Sequence, residues 1–219
     1  MKFLLFLGSV RDSSPPRPRR IGERVARALQ AAFAKAFDDH DLQLVDALDY
    51  PLDAVFKPHF AYAKDRAPEP LEQLSQAIQE ADGYIMLSPE YNHAMSPALA
   101  HLLNHFGSSL FAYKPSAIAT YSAGQWGGMR AAVGLRGFLS ELGCLPVSAM
   151  IHIPRAAQAL DETGQFQDDP QRWQGYLERT LLQLLWWADA TRQQRQRMDP
   201  EALIGSFRRD PAERNAPGG

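Results

Sequence analysis

Phe3-Leu4-Leu5-Phe6-Leu7-Gly8-Ser9, near the start of the chain, is a continuous apolar run that stops at a turn. Five apolar residues without alternation are typical of a strand covered on both faces, as in a parallel sheet. The run is too short for the apolar core of a signal peptide, and Arg11 follows it closely. We therefore predict a buried first strand here.

Similar apolar runs recur along the chain, and segments with a helical spacing of apolar residues separate them. The further runs are Leu42 to Val45, Gly83 to Leu87, Ser116 to Thr120 and Leu145 to Ile151. The helical segments are Ile21 to Ala32, Leu71 to Ile78, Pro97 to Phe106, Met129 to Leu142 and Gln171 to Gln193. Parallel neighbours need crossover connections, so this alternation predicts an α/β fold. We expect a flavodoxin-like, doubly wound, five-stranded parallel sheet with helices on both faces and an extra C-terminal helix.

Composition limits the class of protein. The 219 residues are 45% hydrophobic with a net charge of -2, which indicates one main domain, residues 1–197, without a field that attracts nucleic acid or a membrane surface. No segment approaches the roughly 20 apolar residues of a membrane span. Residues 198–219 are predicted to be a mixed-charge, loose tail. Cys144 is the only cysteine, so internal disulfides are excluded, a cytoplasmic location is expected, and we interpret Cys144 as a small core residue.

The loop after the first predicted strand carries hydroxyl and guanidinium groups directly before a helix. Amides at a helix N-terminus and arginine side chains both favour phosphate. Walker A and GxGxxG motifs are absent, so one phosphate monoester, such as that of FMN, fits better than ATP or a dinucleotide. The alternative is a solvated basic loop. The candidate ligands are Ser9, Arg11, Arg19, Arg20, Ile21 and Gly22, with Arg17 beside them.

A second loop, Ser88-Pro89-Glu90-Tyr91-Asn92-His93, follows the third predicted strand. Pro89 fixes a turn, and Asn92 tolerates the left-handed conformation that such turns use. Backbone groups here suit the polar edge of an isoalloxazine ring, and Tyr91 provides an aromatic wall. We interpret Pro89, Glu90, Tyr91 and Asn92 as flavin-binding; the alternative is a capped turn with a surface tyrosine.

A third loop, from Tyr121 to Arg130, follows the fourth predicted strand and contains several glycines. Glycine lets a flat ligand approach the backbone closely, and Ser122, Gly124 and Gln125 are the candidate contacts. The alternative is a helix entry that only needs flexibility. Trp126 is predicted to shield the ring or to lie at a subunit contact.

Ser9-Val10-Arg11 with Arg20-Ile21-Gly22-Glu23-Arg24-Val25-Ala26, and then Ser88-Pro89-Glu90-Tyr91-Asn92-His93, resemble the two signatures of the NADPH-dependent FMN reductase family. The third loop is similar to that family's third flavin-contacting loop. The resemblance covers roughly residues 1 to 155. It implies bound FMN, reduction by NADPH or NADH, ping-pong hydride transfer to flavin, quinone, azo or related acceptors, and a homodimer or homotetramer.

By this resemblance Ser9, Arg11 and the turn from Arg20 to Gly22 hold the FMN phosphate, and the segment from Pro89 to Asn92 lines the ring. No side chain is expected to be catalytic. The segment Asp12 to Arg19 is longer and richer in proline than in many relatives. This leaves open which of Arg17, Arg19 and Arg20 meets the phosphate.

Several alternatives remain at this stage. A flavodoxin-like single-electron carrier or a flavin-binding scaffold without turnover would share the fold, although the nearly neutral charge is unlike the acidic face of such carriers. His101 and His105 have the spacing of two zinc ligands but lack a third, so we expect a partly exposed or intersubunit helix face. No motif chooses between NADPH and NADH, and Arg130 and Arg155 are the candidates for a 2′-phosphate partner.

Overall fold

Five parallel strands form a single sheet in the computed structural model, which describes residues 1–50, 52, 56–63 and 66–203. The strand order is β2-β1-β3-β4-β5, so the chain reverses its direction of winding between β1 and β3, as in flavodoxin-like folds. The predicted fold is confirmed. The strands are β1 Lys2–Leu7, β2 Asp41–Asp46, β3 Gly83–Pro89, β4 Pro115–Tyr121 and β5 Leu145–Ile153.

Helices cover both faces of the sheet. One face is packed by α1 and the long helix α7, and the other by α2, α3 and α5. The helices are α1 Ile21–Ala36, α2 Glu69–Glu80, α3 Pro97–Asn104, α4 Ser108–Phe111, α5 Met129–Glu141, α6 Ala156–Ala159, α7 Pro170–Arg197 and α8 Pro200–Leu203.

The burial of each strand follows from its place in the sheet. Strands β3 and β4 are buried at every residue, and β1 is buried at all but Lys2. The edge strands β2 and β5 mix buried and exposed positions. Central strands lie between two helical layers, and this explains why their sequences are continuous apolar runs.

The structure corrects the prediction for α3 and describes only part of the C-terminal tail. The helix predicted to reach Phe106 ends at Asn104, and the chain turns at Gly107 into α4. His105 is buried rather than partly exposed, and its Nδ1 lies 2.7 Å from the carbonyl oxygen of His101. Of the predicted loose tail, only residues 198–203 are described, and they include α8; the rest lies outside the described residues. The boundary at residue 197 stays a prediction.

Cys144 and the hydropathy of the helices were also considered in the sequence predictions. Cys144 is buried in the core, as predicted, and burial raises the pKa of its thiol to about 12. Among the described helices, none has the length and hydropathy needed to cross a bilayer. The carboxyl ends of all five strands lie at one edge of the sheet, where the three loops of the sequence analysis begin.

Candidate functional site

Arg20 forms the base of the first loop. It precedes α1, and only 6% of it is exposed. Its guanidinium donates to the carbonyl oxygen of Ser9 and pairs with the carboxylate of Asp46 at the end of β2. Its Nε is buried without a hydrogen-bond partner among the described residues. Burial lowers the pKa of Arg20 because the charged guanidinium loses hydration. A buried ion pair of Arg20 and Asp46 therefore lies at the start of α1.

Gly22 allows the first turn of α1 to lie directly against the sheet. A Cβ atom at this position would be 2.6 Å from Tyr121 Oη and 2.7 Å from Ser9 Cβ, closer than carbon contacts allow. Burial raises the pKa of Tyr121, while a hydrogen bond with Ser9 opposes the rise. No side chain caps α1, and the amides of Ile21 and Gly22 have no hydrogen-bond partner among the described residues.

The other arginines of the first loop have partners of their own. Arg17 forms an ion pair with Asp12 at 2.5 Å, and Arg19 lies 3.4 Å from Glu23 on α1. Both are on the outside of the loop, in contrast to the buried Arg20. Arg17 and Arg19 thus pair with acidic neighbours on the outside of the loop.

The second loop turns tightly through two left-handed residues. Asn92 and His93 have φ values of 50° and 64°. Tyr91 and Ala94 exchange two backbone hydrogen bonds of 3.0 and 2.9 Å around them. Two left-handed central residues define a type I′ turn, so the left-handed conformation expected for Asn92 is observed. Arg11 connects this turn to the first loop, since its Nε donates to Tyr91 Oη at 3.1 Å and its guanidinium lies 5.3 Å from the ring centre.

Side chains satisfy the N-termini of α3 and α5, the other two helices that begin in the site loops. The Ser96 hydroxyl accepts a hydrogen bond from the amide of Ala98 in α3 at 3.1 Å. The Glu90 carboxylate accepts from the amides of Arg130 and Ala131 in α5 at 3.2 and 3.3 Å. Glu90 therefore connects the second loop to the third, and its carboxylate caps a helix instead of pointing to an open site.

The third loop ends in two left-handed glycines, Gly127 and Gly128, with φ values of 61° and 87°. A Cβ at Gly128 would be 2.7 Å from Thr120 Cβ, so the turn lies directly on the end of β4. Thr120 Oγ1 donates to the carbonyl oxygen of Gly127 at 2.9 Å and lies 2.8 Å from His152 Nδ1. Burial lowers the pKa of His152, because the charged imidazolium loses hydration. Gln125 is exposed on the same loop.

The segment after β5 fixes the rest of the third loop. Ser122 donates to the carbonyl oxygen of Ile153 at 3.2 Å and accepts, through its own carbonyl, from Ala156 at 3.0 Å. The amide of Arg155 donates to the carbonyl oxygen of Gly124 at 2.9 Å. Ser122 and Gly124 thus lie in a loop that is hydrogen-bonded to the segment following β5.

Sequence reasoning missed Asp46, Tyr121 and His152 as parts of this site. Each of them lies at or next to the carboxyl end of a strand, where parallel sheets bind ligands. Their position at the ends of predicted strands could have identified them as site residues. The partner of Asp46 is a residue at the start of α1, and no local pattern indicates this pairing.

Comparison with known proteins agrees with this architecture. Residues 1–158 match the model of the NADPH-dependent FMN reductase family. The chain belongs to this family. An NAD(P)H-dependent FMN reductase of Pseudomonas aeruginosa is 30% identical over 159 residues, which cover 70% of this chain and 82% of that protein. The prediction of a flavoprotein oxidoreductase that uses FMN with NAD(P)H is thereby confirmed.

Two further proteins are similar to this chain, but one covers little of it and the other has low sequence identity. An NADPH azoreductase of Bacillus sp. is 38% identical over 63 residues, which cover 29% of this chain and only 35% of that protein. The flavoenzyme NAD(P)H:(acceptor) oxidoreductase FerB of Paracoccus denitrificans superposes with a TM-score of 0.64 at 21% identity, covering 84% of this chain and 96% of FerB. At 21% identity, the similarity to FerB shows that the two proteins share a fold and shows nothing more.

Proposed function

We propose that this member of the FMN reductase family holds FMN between its three loops and passes hydride equivalents from NADPH or NADH to flat acceptors in a ping-pong cycle. The acceptors are free flavins, quinones and azo compounds. The observation that carries the proposal is the uncapped N-terminus of α1 beside the buried guanidinium of Arg20. Of the three helices that begin in these loops, α3 is capped by Ser96 and α5 by Glu90, so an anion is directed to α1.

The residues at the start of α1 fit a phosphate monoester. The amides of Ile21 and Gly22 and the hydroxyl of Ser9 would donate to its oxygens. Asp46 already balances the charge of Arg20, and Arg20 keeps one buried donor, Nε, without a partner among the described residues. We propose that Arg20 acts from behind, through Ser9, while Arg11 approaches from the open side of the loop.

The second and third loops fit the flavin ring. Bound FMN supplies a ring that accepts hydride from NAD(P)H and releases it to the acceptor. We propose that backbone groups from Pro89 to Asn92 bind the polar edge of this ring and that Tyr91, held by Arg11, limits its position. The loop from Ser122 to Gln125 would cover another edge of the ring. We propose no side chain as a nucleophile or a general acid.

We also propose that the protein acts as a homodimer or homotetramer in the cytoplasm. The neighbouring indoles of Trp186 and Trp187 on α7 are 64% and 43% exposed, which favours a subunit contact over a solvated surface. A chain with one cysteine suits a reducing compartment. Light scattering after size-exclusion chromatography would measure the subunit number, and a monomer at all concentrations would contradict the assembly.

The decisive experiment follows the flavin spectrum. The purified protein is incubated with FMN, desalted, and mixed anaerobically with NADPH or NADH in a stopped-flow instrument. We expect FMN to remain bound and its visible absorption to bleach rapidly, and a quinone added afterwards to restore it. Flavin that stays oxidised would favour the electron carrier or scaffold, and loss of all flavin on desalting would contradict FMN as a resident cofactor.

A further inference from the structure

Trp126 is an exposed aromatic side chain in the third loop with an arginine above it. The residue is 52% exposed, although the loop around it is hydrogen-bonded to the segment following β5. The guanidinium carbon of Arg130 lies 5.6 Å from the centre of its indole ring. An arginine over an aromatic face is a cation–π pair, and both surfaces of such a pair can stack on a flat ligand.

The N–H groups of the Arg130 guanidinium have no hydrogen-bond acceptor among the described residues. Its nearest acceptor is Glu90, and the closest distance, from NH1 to Oε1, is 3.9 Å, which is too long for a hydrogen bond. The other oxygen of Glu90 already accepts two amides of α5. The Arg130 side chain is 46% exposed and makes no hydrogen bond through its guanidinium within the described part of the chain.

Arg155 adds a second positive charge near the same loop. Its amide donates to the carbonyl oxygen of Gly124, two residues before Trp126, and its backbone is left-handed with φ 45°. Its side chain is exposed, and no ion pair is seen for it among the described residues. Arg130 thus lies over an exposed indole, and the backbone of Arg155 is hydrogen-bonded to the same loop.

We propose that Trp126, Arg130 and Arg155 form the subsite for the adenosine 2′-phosphate of NADPH, so that this enzyme prefers NADPH to NADH. The inference rests on the proposed function, because Trp126 directly follows the segment from Ser122 to Gln125 that is assigned there to the flavin ring. The adenine would stack on Trp126, and the phosphate dianion would draw Arg130 away from its loose contact with Glu90. Arginine can bind a phosphate through two parallel hydrogen bonds, whereas lysine binds it as a point charge.

Steady-state kinetics of the FMN-loaded enzyme test the specificity. For Arg130→Ala we expect kcat/KM for NADPH to fall about 10- to 100-fold, since a hydrogen bond to a charged group contributes about 1.5–3 kcal/mol. The values for NADH should change less than about 3-fold. Arg130→Lys should restore part of the NADPH value, because it keeps the charge and loses the bidentate geometry. Trp126→Leu should weaken both nucleotides equally.

Arg192→Ala is the matched control. Arg192 has the same 46% side-chain exposure as Arg130 and the same 3.9 Å separation from a carboxylate, that of Asp82, and it lies near the C-terminal end of α7, at the opposite edge of the sheet. This variant should leave both nucleotides unchanged. Equal losses for NADPH and NADH in Arg130→Ala would overturn the proposal.

Binding of adenosine 2′,5′-bisphosphate gives a reading that does not depend on turnover. Isothermal titration calorimetry should show tighter binding of this probe than of adenosine 5′-phosphate to the wild type, and Arg130→Ala should remove the difference. If NADPH fails to bleach the flavin while the bisphosphate preference persists, the proposed function fails and the subsite stands. If the wild type shows no preference for the 2′-phosphate, the subsite is refuted whatever the activity.

Discussion

Replacing Gly22 by alanine tests whether close packing of α1 creates the phosphate site. The added Cβ would lie 2.6 Å from Tyr121 Oη, 2.7 Å from Ser9 Cβ and 3.0 Å from Leu7 Cδ1. Tyr121 Oη and Leu7 Cδ1 are side-chain ends that can shift, but Ser9 Cβ is bonded directly to the backbone just after β1, so this contact forces the helix to move. A carbon contact needs about 3.5–4.0 Å, which requires a shift of roughly 1 Å. Overpacking of this kind costs about 1–3 kcal/mol.

The same shift moves the amides of Ile21 and Gly22 away from the phosphate. We expect Gly22→Ala to lower the free energy of unfolding by about 1–2 kcal/mol, because the helix propensity of alanine offsets part of the overpacking. FMN affinity should fall at least about tenfold, which corresponds to a loss of about 1.4 kcal/mol. Urea unfolding measures the first quantity, and flavin fluorescence on dilution measures the second.

Gly137→Ala is the control, since Gly137 lies inside α5 and an added Cβ there would meet no atom within 4 Å. This substitution should raise the free energy of unfolding by about 0.5–1 kcal/mol and leave FMN affinity unchanged. Wild-type stability and wild-type FMN affinity in Gly22→Ala would refute the argument from packing. Lost stability with normal FMN affinity would refute the placement of the phosphate.

Three further predictions concern single side chains. Burial lowers the pKa of Lys114 from 10.5 to about 7, so the unfolded chain binds more protons above pH 7 and stability should rise with pH, by up to about 1.4 kcal/mol per unit. Urea titrations between pH 7 and 8.5 should show this slope for the wild type and lose it in Lys114→Met; parallel curves would contradict the assignment. Cys144 should react with Ellman's reagent at pH 8 only after unfolding in urea, since burial raises its pKa to about 12, and rapid reaction of the native protein would contradict its burial. Glu90→Ala should lower the free energy of unfolding by about 1–2 kcal/mol through loss of the α5 cap, and Glu90→Gln by less because it keeps an acceptor; equal effects would mean that charge alone matters.

The central strands could be predicted from sequence because burial on both faces removes polar residues from β1, β3 and β4. The left-handed turn at Asn92 was predictable for a local reason, since asparagine tolerates that conformation. The cap formed by Glu90 was not predictable, because its partners at Arg130 and Ala131 are about forty residues away in sequence. Local patterns therefore located the loops but did not indicate which of their side chains bond to each other.

The pairing of side chains across the loops determines where negative charge can bind at this edge of the sheet. Three helices begin in the site loops, and each N-terminus attracts an anion. Ser96 and Glu90 occupy two of them, so the amides at the start of α1 can hold a phosphate, beside the buried ion pair of Arg20 and Asp46. Any further phosphate must then bind to side chains rather than to helix amides. NADPH carries three phosphates, and arginines such as Arg130 and Arg155 are the groups that this edge still offers them.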